Sequence, residues 1–166
     1  MAKPGELKGR WAMGLFLGTH TNKVDRKGRV SVPAQFRTAL AQESFQGIIL
    51  YRSLSHDGVI EGCGMAFLEQ IAAASARQFD VFSEEMEDVG AAISGDSVQL
   101  PWDPEGRVVL PAYLLEHANI FDQIAFVGMF QRFQLWHPDA YAAHERQVKA
   151  RIKTNKPKLL LQRPEG

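Results

Sequence analysis

Two stretches of the chain repeat the same turn. Residues 25–37 read DRKGRVSVPAQFR, and residues 103–115 read DPEGRVVLPAYLL. A shift of 78 positions superposes six identical residues within ten positions, an aspartate, a glycine, an arginine, a valine, a proline and an alanine. Because agreement of this kind marks a repeated structural unit, the sequence predicts two copies of one supersecondary element.

Each copy is typical of a strand, a tight turn, a second strand and a short helix. THTNKV and SVQLPW precede the two turns as strands. After the turns, alternate residues are apolar, Val30 with Val32 and Val108 with Leu110, which predicts strands with one buried face. The proline that follows each strand has no N–H to donate to a sheet, and it suits the start of a helix.

The rest of the chain completes a mixed fold. GIILYR, QIAFVGMF and RFQLW read as strands, MAFLEQIAAASARQF and PDAYAAHERQVKARIK read as helices, and SEEMEDVGAAIS reads as a short helix or a loop. The predicted class is α+β. The predicted division is a first unit over residues 15–68, an acidic helical connector over 69–94, a second unit over 95–140, and a basic C-terminal helix and tail over 141–166.

The spacing D-x-x-G-R suits a turn that closes on its own ion pair. Gly28 and Gly106 stand where a reversing chain commonly needs a positive φ. An aspartate carboxylate at the start of the turn can accept backbone N–H groups two or three residues on. The arginine four residues beyond can pair bidentately with that carboxylate. Asp25, Gly28, Asp103 and Gly106 are therefore predicted to be structural turn residues.

The first turn also carries cations that a turn does not need. Lys23, Arg26, Lys27 and Arg29 surround it, and Arg37 follows one helical turn into the next helix. Their counterparts in the second copy are Pro101, Pro104, Glu105, Arg107 and Leu115. An exposed two-stranded ribbon that bears Lys and Arg fits the major groove of B-DNA, which is about 12 Å wide. The five cations of the first copy are therefore the predicted DNA contacts.

Local charge agrees with this prediction although the chain is neutral. There are 19 Lys and Arg against 19 Asp and Glu. Residues 23–37 hold five basic residues and one acid, and residues 146–163 hold seven basic residues and no acid. Residues 80–105 hold eight acids and no Lys or Arg. Because a phosphate backbone responds to local fields, a neutral total does not argue against nucleic acid.

The tandem motifs resemble the MraZ family of bacterial transcriptional regulators, which is built from two SpoVT/AbrB-type units. FLGTHTNKVDRKGRVSVPAQFR and DPEGRVVLPAYLLEHANI are similar to its two signature segments, and VGMFQRFQLW resembles its following strand pair. The resemblance implies two β-hairpin units in an intertwined β-barrel-like core with peripheral helices. It also implies ring-like homo-oligomers that bind direct repeats in double-stranded promoter DNA and regulate, typically repress, an operon for cell-wall synthesis and division.

The chain departs from the family pattern in three places. FSEEMEDVGAAIS is acidic where many relatives carry arginines, and the second turn is anionic, so only Arg107 is carried over there as a DNA contact. Residues 1–14 precede the usual start and receive no function. Residues 153–166, with two prolines and dense charge, are expected to fray.

An enzyme is the main alternative class, and its sequence support is weak. The five histidines lack metal-binding spacing, and Cys63 fits a buried small hydrophobic residue better than a nucleophile. Asp25 and Asp103 could share a catalytic site, but each has its own arginine, which lowers the pKa of its carboxyl. We therefore predict no catalytic residue, no metal and no cofactor.

Two non-enzymatic alternatives stay open. One is a protein-only oligomeric scaffold, in which aromatic residues line subunit interfaces rather than the core: Trp11, Trp102, Phe130, Phe133 and Trp136. The other is an antitoxin-like regulator, a role of single-copy relatives of this unit. A single cysteine, the lack of an apolar run of about 18 residues and the lack of a secretory leader predict a cytoplasmic chain with no membrane partner. Association with the nucleoid is what the family resemblance implies.

Overall fold

The computed structural model describes residues 14–161, so Trp11 and the two ends of the chain lie outside it. Eight strands lie in the described part: β1 (Thr19–Lys23), β2 (Arg29–Ser31), β3 (Gly47–Arg52), β4 (Ile60–Cys63), β5 (Val98–Pro101), β6 (Arg107–Val109), β7 (Gln123–Met129) and β8 (Arg132–Trp136). The α-helices there are α1 (Ala34–Ala39), α2 (Met65–Gln78), α3 (Glu84–Val89), α4 (Ala112–His117) and α5 (Pro138–Asn155), and a π-helical turn (Gly90–Ser94) continues α3.

The strands of the two repeats intertwine. Six strands form an antiparallel sheet in the order β1-β7-β8-β4-β3-β5, and β2 pairs with β6 in a separate two-stranded ribbon. The first strand of each repeat thus pairs with the third strand of the other, β1 with β7 and β5 with β3. Neither repeat completes its sheet alone, and the fold is the expected α+β arrangement with an intertwined, barrel-like core.

A pseudo-twofold axis relates the two repeats. Val30 pairs with Val108 at the middle of the ribbon, and these two valines are equivalent under the 78-residue shift. Glu61 pairs with Gln134 at the middle of the β4–β8 contact, where the fourth strands of the repeats meet. Each repeat therefore contributes equivalent strands to the six-stranded sheet and to the ribbon. The two D-x-x-G-R turns occupy equivalent positions.

The main core lies between the ribbon and the six-stranded sheet. Val30 and Val108 enter it from the ribbon, and both are almost fully buried. Phe16, Phe36 and Phe133 meet at its centre with ring centroids 5.0–5.2 Å apart in tilted or edge-on geometry. Aromatic pairs prefer such geometry because the positive ring edge faces the negative ring face.

The opposite face of the sheet is covered by helix α5. Ala125 and Val127 of β7 point to this face and pack with Val59 and Trp136, and Tyr141 of α5 lies against them. The alternate residues Ile124 and Phe126 belong to the main core. The strand is therefore buried on both sides, which explains why its sequence is apolar throughout rather than alternating.

A buried carboxylate joins strands at the pseudo-twofold centre. Glu61 pairs with Arg132 at 2.7 Å and accepts hydrogen bonds from the Ser53 hydroxyl and the Gln134 amide. The Gln134 oxygen in turn accepts from Trp136 Nε1 at 3.0 Å. Every polar atom of Glu61 is thereby paired, as a buried charge requires.

The turn-flanking strands differ from the predicted hairpin. A single bridge joins Val24 to Val30 across the first turn, and beyond it β1 and β2 pair with strands of the other repeat. The expected exposed ribbon exists, but β2 and β6 form it, one from each repeat. The sequence could not reveal this exchange, because the residue pattern of a strand does not identify its partner.

Three further elements refine the predictions. Strand β4 was not predicted, because its two central residues, Glu61 and Gly62, interrupt an apolar pattern; the ring of Phe133 occupies the space above Gly62. SEEMEDVGAAIS is helical, and its Ser83 hydroxyl caps the first turn by accepting from the Met86 N–H at 3.1 Å. Of the aromatics considered for interfaces, Phe133, Trp136 and Trp102 pack in the interior, whereas Phe130 is exposed.

Replacement of Phe36 by alanine tests the position of the main core. Phe36→Ala removes a fully buried ring that touches three other aromatic rings, and the free energy of unfolding is expected to fall by about 3–5 kcal/mol. Phe121→Ala is the matched control, because this ring is 77% exposed and its loss should change stability by less than about 0.5 kcal/mol. Equal effects of the two variants in chemical denaturation would contradict this core.

Candidate nucleic-acid interface

The first turn is closed by its aspartate. The Asp25 carbonyl accepts from the Gly28 N–H at 3.0 Å, and Asp25 Oδ1 accepts from the N–H groups of Lys27 and Arg29 at 2.9 Å. The second oxygen, Oδ2, pairs with Arg29 Nε at 2.7 Å. These bonds lower the pKa of Asp25 below its ordinary value, the backbone N–H of Arg29 contributing most.

The second turn repeats this geometry bond for bond. Asp103 accepts from the N–H groups of Gly106, Glu105 and Arg107 at 2.9 Å, and its Oδ2 pairs with Arg107 Nε at 3.0 Å. The pKa of Asp103 is lowered as well, again chiefly by the backbone N–H of the arginine. The predicted structural turn is thus present in both copies.

The two turns stand at opposite ends of the ribbon. Gly28 and Gly106 have φ of +80° and +79°, a conformation that favours glycine. The Leu110 N–H donates to the Gly28 carbonyl at 2.8 Å, and the Val32 N–H donates to the Gly106 carbonyl at 2.9 Å. A Cβ at Gly28 would lie 2.8 Å from the Leu110 oxygen, so close approach of the two chains also requires glycine here. Each turn is therefore anchored to the end of the other repeat's strand.

Three cations at the first turn are free of ion pairs. Lys23, Arg26 and Lys27 are exposed, and none of them forms a salt bridge with any residue between 14 and 161. Arg29 is half-buried and pairs only with Asp25. The first turn therefore presents four cations against one carboxylate, and three of those cations face solvent.

The second turn has the opposite character. Arg107 pairs through Nε with Asp103 and through a terminal nitrogen with Glu105 at 2.9 Å, so two carboxylates neutralise it. Pro104 and Glu105 occupy the positions of Arg26 and Lys27. The same backbone thus carries a positive surface in one copy and a slightly negative one in the other.

Arg37 lies at the second turn with Arg107, away from the four predicted contacts of the first turn. Its Nε donates to the Val32 carbonyl at 3.2 Å, and a Cβ at Gly106 would lie 2.6 Å from the Arg37 Cζ. The half-buried guanidinium therefore lies flat on the glycine of the other repeat's turn. Strand exchange causes this placement, because β2 runs from the first turn toward the second before α1 begins.

The ribbon adds polar surface that the sequence prediction overlooked. Ser31 and Val109 are exposed, and they lie on the same outer face of the ribbon as Arg29 and Arg107. The Ser31 hydroxyl is a possible hydrogen-bond donor to a phosphate. Period-two alternation would have identified it, since Ser31 is two residues from Arg29 while Val30 between them is buried.

The described residues give no support to the enzyme alternative. Asp25 and Asp103 occupy opposite ends of the ribbon, and each is paired with its own arginine. Cys63 is buried, and burial raises the pKa of its thiol to about 12, which keeps it protonated. No cluster of three or more His, Cys, Asp or Glu lies within metal-binding reach in this part of the chain.

None of the helices between residues 14 and 161 is long and apolar enough to span a bilayer.

Comparison with known proteins gives one consistent result. The chain matches a family model described as "MraZ protein, putative antitoxin-like" over residues 15–56 and 94–163. It is 45% identical over 140 residues to the transcriptional regulator MraZ of Parvibaculum lavamentivorans, covering 84% of this chain and 86% of the relative. The corresponding protein of Rickettsia bellii is 43% identical over 130 residues (78% and 85% covered), and that of Gluconobacter oxydans is 38% identical over 144 residues (86% and 87% covered).

The lowered pKa of the turn aspartates predicts an acid-sensitive fold. A carboxyl whose pKa is lower in the folded than in the unfolded chain stabilises the fold above the unfolded pKa, which is about 3.9, and this stability is lost as pH falls through the folded pKa. The free energy of unfolding should therefore decrease between about pH 5 and pH 2.

Removal of both turn carboxylates should weaken that pH dependence. Asp25→Asn combined with Asp103→Asn keeps an oxygen acceptor for the backbone N–H groups but removes the titrating charge, so stability should fall less steeply on acidification. Asp57→Asn, at an exposed aspartate without an ion pair in the described part, should leave the dependence unchanged. Chemical denaturation at several pH values measures the free energy of unfolding as a function of pH. The same decrease with acid in the double variant as in the parent would contradict the role given to Asp25 and Asp103.

Proposed function

This chain belongs to the MraZ family, and from that membership we propose that it is a transcriptional regulator that binds double-stranded DNA through its first turn. The three relatives above carry the name of transcriptional regulator. The observation that carries the proposal is a difference in charge between two turns with the same hydrogen bonds. The first turn exposes Lys23, Arg26 and Lys27 to solvent, and the second turn has no cation at the equivalent positions.

The three exposed cations suit phosphate and base-edge contacts. Lys and Arg supply most phosphate contacts of DNA-binding proteins, and Arg pairs bidentately with the N7 and O6 of guanine. Arg29 pairs with Asp25 through Nε, so it orders the turn. It also adds positive charge next to the proposed DNA groove. Arg26 and Lys27 occupy the tip of the turn, between Asp25 and Gly28, and both side chains are exposed to a ligand.

Arg37 and Arg107 belong to a second, weaker contact in this proposal. Both lie at the second turn, where Asp103 and Glu105 pair with Arg107. Ser31 and the outer face of the ribbon connect the two turns. The duplex would thus meet the first turn strongly and the second turn only weakly.

Assembly increases the affinity that one copy can reach. Each copy brings four to six predicted contacts, and phosphate contacts lose strength steeply as salt rises. Copies joined in a ring-like homo-oligomer would engage direct repeats together, and linkage of this kind strengthens binding by about 10² or more. The net charge of zero leaves such assembly unopposed by repulsion.

The biological setting follows from the family resemblance. We propose repression of an operon for cell-wall synthesis and division, with the protein in the cytoplasm on the nucleoid. The two turns belong to the proposed units over residues 15–68 and 95–140, and the proposed division also has an acidic connector over 69–94 and a basic C-terminal helix and tail over 141–166. The family match omits residues 57–93, which contain all of the acidic connector except its last residue.

The antitoxin-like alternative keeps one point of support, the description of the family model. An antitoxin-like protein would need a protein partner, whereas the proposed regulator acts on DNA directly. A gel shift with the DNA upstream of the protein's own gene, using the purified chain alone, separates the proposed regulator from the protein-only scaffold, which would leave that DNA unshifted.

Substitution of the tip cations tests the contact surface. Arg26→Ala and Lys27→Ala should each weaken binding to that DNA and reduce the slope of log affinity against log salt by about one. Thermal stability should stay unchanged, because neither side chain takes part in a hydrogen bond or salt bridge among the described residues. Arg77→Ala, an exposed arginine on α2, serves as the control and should leave both quantities unchanged. Full binding by a Lys23, Arg26 and Lys27 triple alanine variant would refute the assignment.

The use of tandem sites is a separate prediction. DNA with two direct repeats should bind the assembled protein at least about 10²-fold more tightly than DNA with one repeat. Inversion of one repeat should abolish most of this gain, because copies related by rotation round a ring present their turns in the same direction. Fluorescence anisotropy measures the affinity for DNA with one repeat, with two direct repeats and with two inverted repeats. Equal gains in affinity from direct and inverted repeats would exclude the ring arrangement.

A further inference from the structure

An apolar groove lies between helices α2 and α3. Its volume is about 420 Å³, and its walls are mainly the side chains of Met65, Leu68, Ile71, Met86, Val89 and Ile93. These residues are only partly buried in the single chain, although the groove exposes almost no polar surface. An apolar surface of this kind on a folded chain marks a place where another molecule binds.

The groove has a strongly acidic rim. Residues 65–94, which form both helices and the π-helical turn, contain six acids and one arginine. Glu69 lines the groove itself, and Glu84, Glu85, Glu87 and Asp88 are exposed on α3. A segment that combines apolar side chains with neighbouring basic ones would complement the groove in both respects.

The C-terminal arm, residues 150–161, has those two properties. Leu159, Leu160 and Leu161 are 86–96% exposed, and every other residue of the arm is exposed as well. Arg151, Lys153, Lys156 and Lys158 precede the leucines, and residues 146–163 contain no acid. The arm therefore ends in an apolar tip that no residue between 14 and 161 covers.

In the single chain, no residue of the arm lines the groove, and the two helices concerned begin at opposite ends of one strand pair. Strands β4 and β8 are antiparallel, α2 follows β4, and α5 follows β8, so the two helices leave the strand pair at opposite ends. Helix α5 then extends for 18 residues, about 27 Å, before the leucines are reached. From Lys149 to its end every residue of the helix is exposed, as expected of a helix that reaches toward a neighbour.

We propose that the arm of one copy docks in the α2–α3 groove of a neighbouring copy. The three leucines fill the apolar floor, and Lys156 and Lys158 lie against the acidic rim. The inference rests on the homo-oligomer of the proposed function and names the contact that joins its copies. It also gives the acidic connector a role, since this segment then binds protein rather than DNA.

Disulfide trapping between two single-cysteine variants tests the contact. Ala72 lines the groove and Leu160 lies in the arm, whereas the native Cys63 is buried. Ala72→Cys chains mixed with Leu160→Cys chains should form a covalent dimer containing one of each on mild oxidation. Ala74→Cys, which is exposed on α2 outside the groove, is the matched control and should give several-fold less product.

Sedimentation of an arm variant supplies the second measurement. Leu159→Ser, Leu160→Ser and Leu161→Ser together should shift the chain to smaller species at concentrations where the parent is assembled, while its affinity for DNA with one repeat stays within about twofold. The exposed leucines lie outside the core of the single chain, so the variant should fold normally.

Each contrary result has a distinct meaning. An assembled parent with no trapped dimer, or a serine variant that assembles like the parent, overturns the arm contact and leaves the proposed function intact. A chain carrying both cysteines that closes within itself overturns the exchange between copies. A parent that stays monomeric at all concentrations overturns the arm contact together with the proposed oligomer, and DNA binding by the first turn is then judged by its own salt series.

Discussion

The pairing of Val30 with Val108 is the constraint on which the rest of the structure depends. It joins the two repeats at their pseudo-twofold axis and buries both valines against the main core. It also fixes the two turns at opposite ends of one short ribbon, each hydrogen-bonded to the other repeat's strand end. A change on this axis would therefore disturb the core and both turns together.

The two repeats differ in surface charge because the closed turn requires only a few of its residues. Aspartate, glycine and arginine close the turn in both copies with nearly the same distances. The two positions between aspartate and glycine take no part in closure through their side chains, so one copy accommodates Arg26 and Lys27 and the other Pro104 and Glu105. Duplication thus supplied a stable scaffold on which one surface could become positive.

Local features were predictable from the sequence, and long-range ones were not. The turns, the alternating valines, the aspartate–arginine pairs and the burial of Cys63 follow from residue type and spacing. The pairs differ in one detail from the bidentate geometry expected, because each arginine reaches its aspartate through Nε and backbone N–H groups occupy the other oxygen. Strand exchange moved Arg37 to the second turn, and a groove between two helices depends on how they pack. Neither is encoded in a short window of sequence, because both arise from contacts between residues far apart in the chain.

Replacement of one turn tip by the other tests the central claim most directly. Arg26→Pro with Lys27→Glu makes the first turn read DPEGR, a sequence that already forms the same hydrogen bonds at residues 103–107. The free energy of unfolding should change by less than about 0.5 kcal/mol. Titration of this variant with its promoter DNA across salt concentrations should show at least about tenfold weaker binding and a salt slope smaller by about two. Unchanged affinity and slope would contradict DNA recognition by the first turn.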